Sequence, residues 1–204
     1  MIAYPASTVV IAIDGPAGAG KSTVAREVAR RLGYRYLDTG AMYRAVALAA
    51  LDTGTDLDDA RALAGLGGLA LRMTDDPRLR TPTVDARVSQ VAGHPDVRSA
   101  MRDAQRRFLD EGDTVVEGRD IGAVVWPASE LKVWLDADPV ERARRRSDES
   151  GDTAAAQALH ARDQRDQQQT QRASDAVLLD STELSADEVV ERIVELARER
   201  GACS

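Results

Sequence analysis

The sequence predicts a three-layer α/β fold with a parallel central sheet, and three observations carry the prediction. Short apolar runs of strand length alternate with stretches of helical periodicity along most of the 204 residues. Two of these runs, Thr114–Glu117 and Leu131–Leu135, have the character of parallel strands covered on both faces. The first run, Val9–Asp14, passes straight into Gly15-Pro16-Ala17-Gly18-Ala19-Gly20-Lys21-Ser22, a complete GxxxxGK[ST] pattern. A phosphate-binding P-loop at the first strand-to-helix crossover makes this a P-loop NTPase fold.

The elements follow in order. Val24, Val28, Ala29 and Leu32 form one face of a helix that ends at Gly33. A short strand, Arg35–Leu37, leads into Asp38-Thr39-Gly40, and a helix runs from Ala41 to about residue 52 with Met42, Ala45, Val46 and Ala49 on one side. Residues 56–67 read as a short helix, Leu69–Met73 as a strand, and residues 74–82 as a turn-rich charged segment. Thr81-Pro82 is an N-cap with proline at the first helical position, and His94-Pro95 interrupts the helix it opens. The next helix spans about residues 95–111. After the two apolar strands comes an arginine-rich helix from Pro139 to about Ser147, then a polar region to Ser174 that holds most of the glutamines. Ala176–Asp180 is the last strand, and Ser185 caps a final amphipathic helix built on Val189, Val190, Ile193, Val194 and Leu196.

The P-loop sets the chemistry. Its glycines let successive backbone N–H groups turn inward onto a polyphosphate, and the helix starting near Lys21 adds the positive end of its dipole. Gly15, Pro16, Ala17, Gly18, Ala19, Gly20, Lys21, Ser22 and Thr23 are thus expected to bind ATP, with Lys21 reaching the β and γ phosphates and the Ser22 hydroxyl on Mg2+. Of 27 basic residues only Lys21 and Lys132 are lysines. A lysine survives in the loop because a compact charge on a flexible stem fits between phosphate oxygens where a planar guanidinium does not.

Composition narrows the class. At 43% hydrophobic and 30% charged residues the chain is expected to be one soluble domain. No apolar stretch approaches membrane-spanning length and no signal-peptide pattern opens the chain, so a cytoplasmic protein without membrane partners is expected. A single cysteine, Cys203, and two separated histidines, His94 and His160, argue against a disulfide framework or a zinc site. A net charge of -7 argues against nucleic acid as a partner. The sequence contains no asparagine, so a guanine-reading NKxD element is impossible, and Val133-Trp134-Leu135-Asp136 is only a weak Walker-B candidate.

Two further constellations fall at the carboxyl ends of strands, where open α/β sheets bind ligands. In Glu117-Gly118-Arg119-Asp120, Arg119 can hold a phosphate bidentately, and Asp120 can accept from an exocyclic amine or orient a nucleophile. Asp38-Thr39-Gly40 with Arg44 occupies the corresponding edge after the second strand. With these residues the chain resembles the nucleoside monophosphate kinases, and specifically the bacterial cytidylate kinases. The matching segments are 13–22, Leu37–Arg44, Val88–Ala92 with Val97-Arg98, Glu117–Gly122, Arg162–Asp166, and Asp175-Ala176 through Thr182.

The resemblance implies transfer of the ATP γ-phosphoryl group to CMP or dCMP. It implies a core of about residues 8–40, 113–146 and 175–200, a small monophosphate-binding insertion at about 41–112, and a helical lid at about 147–174. By the same resemblance Asp38, Thr39, Arg44 and Arg119 bind the acceptor around its phosphate, Ser89, Arg98 and Asp120 read the cytosine edge, and Arg162 and Asp166 hold the sugar hydroxyls. An Asp, Ser and Arg set offers the acceptor that cytosine N4 needs and the donors that N3 and O2 need. Lys21, Arg119, Arg165 and Arg172 are the expected catalytic charges, a monomer suffices, and no side-chain base is needed because the attacking phosphate oxygen is already an anion.

The chain departs from the family pattern twice. Residues 73–81 lack most of a small β hairpin, and Gln167-Gln168-Gln169-Thr170-Gln171 stands where a serine and a further arginine are expected, with Arg172 the replacement. These departures leave open a kinase of the same fold for a modified cytidylate or another small phosphorylated metabolite. A nucleotide-binding regulator without efficient turnover is the third reading.

Overall fold

The computed structural model describes residues 8–150 and 170–202. Five strands form one parallel sheet: β1 (Val10–Asp14), β2 (Arg35–Asp38), β3 (Thr114–Gly118), β4 (Leu131–Asp136) and β5 (Val177–Asp180), in the spatial order β2-β3-β1-β4-β5. The helices are α1 (Lys21–Leu32), α2 (Thr39–Thr53), α3 (Ala60–Gly65), α4 (Gly67–Ala70), α5 (Pro82–Gly93), α6 (Pro95–Leu109), α7 (Pro139–Ser150) and α8 (Ala186–Glu199). The chain divides into two compact units, one of residues 38–108 and one of the remainder.

The larger unit is organised around β1, whose five residues are all buried. Its register places Asp14 opposite Gly118, the last residue of β3, and opposite Trp134 of β4, so β1 and β3 end side by side while β4 runs on two residues to Asp136. One face of the sheet is closed by α1 and α8, with Val24, Ala25 and Val28 meeting Val190, Ile193 and Val194 over Ile11, Ile13 and Val133. Ser185 and Glu188 complete a capping box at the start of α8, which satisfies two of the helix's orphan N–H groups. The strand β3 is buried throughout, as its sequence predicts, whereas β4 alternates buried and half-buried residues.

The smaller unit is helical and centred on α2, along which Met42, Ala45, Val46 and Ala49 are buried. The helices α4 and α5 pack on it. Thr81 stands at the N-cap of α5, but its hydroxyl donates back to the Arg78 carbonyl, and Pro82 starts the helix without a side-chain cap. Two expectations fail here. Residues 56–59 are not helical: Asp59 is the N-cap, accepting the Ala62 N–H, and the helix starts only at Ala60. Leu69–Met73 is not a strand: residues 67–70 form the helical turn α4, and a 3-10 turn follows at Pro77–Arg80. A run of five apolar residues does not distinguish strand from buried helical turn, and here Leu69 lies exposed while Ala70 is buried, without strand neighbours.

Candidate active site

The P-loop leaves β1 at Gly15 with φ +154°, a conformation that side chains rarely adopt. A Cβ there would lie 2.0 Å from the carbonyl oxygen of Leu135 on the adjacent strand. Gly18, at φ +77°, passes so close to α7 that a Cβ would meet the Arg142 carbonyl oxygen at 2.8 Å. Arg142 is itself buried and clamps the loop, its Nη1 donating to the Ala17 carbonyl at 2.9 Å and its Nε to the Ala137 carbonyl at 3.2 Å. Lys21 is 7% exposed, and its Nζ donates to the Pro16 carbonyl at 2.7 Å. The ammonium group is therefore held across the mouth of the loop that the sequence assigned it to.

Ser22 donates from Oγ to the Glu117 carboxylate at 3.0 Å, and the Tyr36 hydroxyl donates to the other oxygen of the same carboxylate. The acid facing the P-loop serine is thus at the end of β3, the strand next to β1. Asp136, the weak Walker-B candidate, instead accepts from the N–H of its neighbour Ala137. Ser22 and Glu117 present hard oxygen ligands, which suit Mg2+. Among the described residues no cluster of three or more His, Cys, Asp or Glu could hold a metal ion alone.

Arg119 donates from Nη1 to the Gly15 carbonyl at 3.1 Å, so the phosphate candidate of one strand end is attached to the first P-loop residue of the next. Asp120 is buried and begins a turn in which the N–H groups of Val125 and Trp126 bond to carbonyls five residues back, Asp120 and Ile121. Such π-type turns concentrate at functional sites. The Asp14 carboxylate accepts the N–H groups of Ile121 and Gly122, both at 2.9 Å. Burial pushes the Asp14 carboxyl up to about 6, against the opposing effect of those two backbone bonds; Asp120 adds to the rise and Lys21 reduces it.

A cavity of about 970 Å³ opens beside the loop, walled by Gly18–Gly20, the first turns of α7 and the Ser181–Ala186 segment. Arg145 crosses its wall, bonding to Glu141 and to the Ser181 hydroxyl and carbonyl. Hydrogen bonds from Arg144 first, and Arg145 second, hold the Glu141 carboxyl down at about 2. The cavity has the size of sites that take a nucleoside.

In the smaller unit, Asp38 is the N-cap of α2, accepting the Ala41 N–H at 2.8 Å, and its other oxygen pairs with Arg80 at 3.3 Å. Thr39 is buried at the first position of α2. Arg44 is also buried and is held by Asp85 of α5 at 3.0 Å. Ser89 lies half-buried one turn further along α5, and Arg98 half-buried on α6. Arg172 is exposed just before β5, where the Gln171 N–H bonds to the Arg119 carbonyl. Arg162, Arg165 and Asp166 lie outside the described residues. Asp14, Arg142 and Arg145 went unnoticed in the sequence. An acid ending an apolar buried strand is a usable signal for Asp14, but nothing distinguishes Arg142 or Arg145 within an arginine run.

Residues 11–199 match the family model described as Cytidylate kinase. A cytidylate kinase from Exiguobacterium sibiricum is 45% identical, aligned over 92% of this chain and 96% of its own. One from Solibacter usitatus is 44% identical over 94% and 93%. A solved structure from Thermus thermophilus superposes with a TM-score of 0.52 at 24% identity, covering 94% of this chain and 97% of that one, which supports the fold.

Proposed function

The chain belongs to the cytidylate kinase family, and we propose the residues with which it transfers the γ-phosphoryl group of ATP to CMP or dCMP, leaving ADP and CDP or dCDP. The observation that carries the assignment is the joining of Lys21, Ser22, Glu117 and Arg119 at one edge of the sheet through bonds to the P-loop, with Asp120 standing between Arg119 and Ile121, whose N–H bonds to Asp14 of the first strand. Phosphoryl transfer passes through a loose transition state, so the protein's work is alignment and charge neutralisation. The ammonium of Lys21 leaves the Pro16 carbonyl for the transferring phosphate, and the N–H groups of Ala17–Thr23 bind the rest of the triphosphate. Ser22, with Glu117 behind it, is assigned to Mg2+, which supplies positive charge between the phosphates. The donor's adenosine is placed in the cavity between the loop and Ser181–Ala186, against Arg145.

Arg119, Thr39 and Arg44 are assigned to the acceptor phosphate, with Asp38 fixing the start of α2. Asp120, Ser89 and Arg98 are assigned to cytosine, Arg162 and Asp166 to the sugar. Arg165 and Arg172 are the candidate lid clamps. If Arg172 fills the position taken by the glutamine run, Arg172→Gln lowers kcat more than it alters KM, whereas loss of kcat in Arg165→Gln alone transfers the role. On this reading the enzyme acts as a monomer in the cytoplasm. Among the described residues no helix is long and apolar enough to cross a membrane.

A panel of nucleoside monophosphates with ATP and Mg2+ tests the assignment. CMP and dCMP should be turned over, with UMP and AMP poorer by one to two decades, since a mismatched buried hydrogen-bonding edge costs about 1–3 kcal/mol. Equal turnover of AMP and CMP overturns it, and activity confined to a modified cytidylate replaces the acceptor. Nothing in the fold or in the relatives compared favours that alternative.

A further inference from the structure

Asp14 has no place among the groups that touch phosphate or base, yet its chemistry is costly. It is 4% exposed, lies directly before the P-loop, and carries a carboxyl whose charge the buried setting disfavours. Both oxygens are committed, one to the Ile121 N–H and one to the Gly122 N–H. These are the first two N–H groups of the turn that follows Arg119-Asp120, and the start of such a turn otherwise leaves its donors orphaned. A second attachment reinforces the first, since Arg119 bonds to the carbonyl of Gly15, the residue next to Asp14. The strand register supplies a third, pairing Asp14 itself with Gly118. Residues 119, 121 and 122 are thus tied to Asp14, the last residue of β1, and to Gly15 after it, on both sides of Asp120.

We propose that Asp14 is a positioning residue for the acceptor: by taking the N–H groups of Ile121 and Gly122 it fixes where Arg119 and Asp120 are presented to the monophosphate nucleotide. The proposal rests on the reading of Arg119 and Asp120 given above. An amide cannot replace the carboxylate here, because Asn offers one acceptor and turns an N–H2 toward the second backbone donor. The turn then loses one of its two attachments and Asp120 loses its orientation, while Lys21, Ser22 and the loop's glycines keep theirs.

The test is steady-state kinetics on the full chain for Asp14→Asn, Asp120→Asn and the double variant, with melting temperatures. Asp14→Asn should raise KM for CMP about tenfold, the effect of one lost hydrogen bond to a charged group, with KM for ATP within about twofold and the melting temperature within a few degrees. In the Asp120→Asn background the same change should raise KM for CMP by less than about threefold, because Asp120, one of the two residues it acts through, no longer offers its carboxylate. Asp14→Ser, smaller and still carrying one acceptor, provides the same comparison if the asparagine variant does not fold. The proposal is overturned by parallel rises in both KM values, by an unchanged KM for CMP, or by full additivity in the double variant. The reading of Asp120 fails separately if Asp120→Asn leaves KM for CMP unaltered.

Discussion

Replacing Arg142 by methionine keeps the volume and the apolar stem but removes the donors that hold the Ala17 and Ala137 carbonyls. A hydrogen bond from a charged donor contributes about 1.5–3 kcal/mol net, so the two together amount to about 3–6 kcal/mol. Against this stands the cost of keeping a guanidinium that is 9% exposed out of water, a few kcal/mol that the variant no longer bears. With about 2–3 kcal/mol taken for that relief, the expected loss for Arg142→Met is about 1–3 kcal/mol, read from urea unfolding as a lower midpoint at constant slope. Because Ala17 belongs to the P-loop, KM for ATP should rise about tenfold while KM for CMP holds. Arg142→Lys can reach one of the two carbonyls and should recover roughly half the loss. A methionine variant within about 0.5 kcal/mol of wild type and with unaltered KM for ATP would refute the clamp.

Two other predictions concern charge. Lys21→Ala should abolish turnover with the fold intact by circular dichroism, and Lys21→Arg should also fail, since a planar guanidinium does not fit where Nζ lies 2.7 Å from the Pro16 carbonyl; near-normal kcat in the arginine variant would show the loop is less confining. The folded protein holds the Asp14 proton more tightly than the unfolded chain, about 6 against 3.8. The stability this confers is complete below about pH 3.8 and is lost as pH rises through about 6, a difference on the order of 3 kcal/mol. Wild type should therefore gain on Asp14→Asn as the pH falls from 7 to 4, and a constant gap in denaturation midpoint across that range would contradict the burial argument.

Much of this was legible in the sequence, for physical reasons that differ by element. The strand at Val10–Ile13 and the loop after it were readable because burial on both faces and phosphate binding each demand a narrow choice of residues. The capping of α2 by Asp38 and of α8 by Ser185 follows from local chemistry alone. Residues 56–73 misled because their leucines and glycines satisfy strand and helix patterns alike, and tertiary packing chose α3 and α4. The partnership of Ser22 with Glu117 rather than with an acid near Asp136 depends on which strand lies beside β1, and strand order is not a local property. For the same reason the stapling of Ile121 and Gly122 to Asp14 was invisible, since the acceptors and donors stand 107 and 108 residues apart.

The close approaches around the P-loop bear on how transferable it is. Eight consecutive residues carry the whole recognisable motif, which invites treating it as a cassette that can be grafted between scaffolds. Here the surface it is moulded against comes from elsewhere: the Leu135 carbonyl limits what can stand at position 15, and Arg142, 125 residues beyond Ala17, grips the loop's own backbone. A graft that brings Gly15–Ser22 without the end of β4 and the first turn of α7 imports the shape of the loop but not the mould. The heritable unit of phosphate binding in this chain is a discontinuous one, and recombination that cuts between residues 22 and 135 separates its halves.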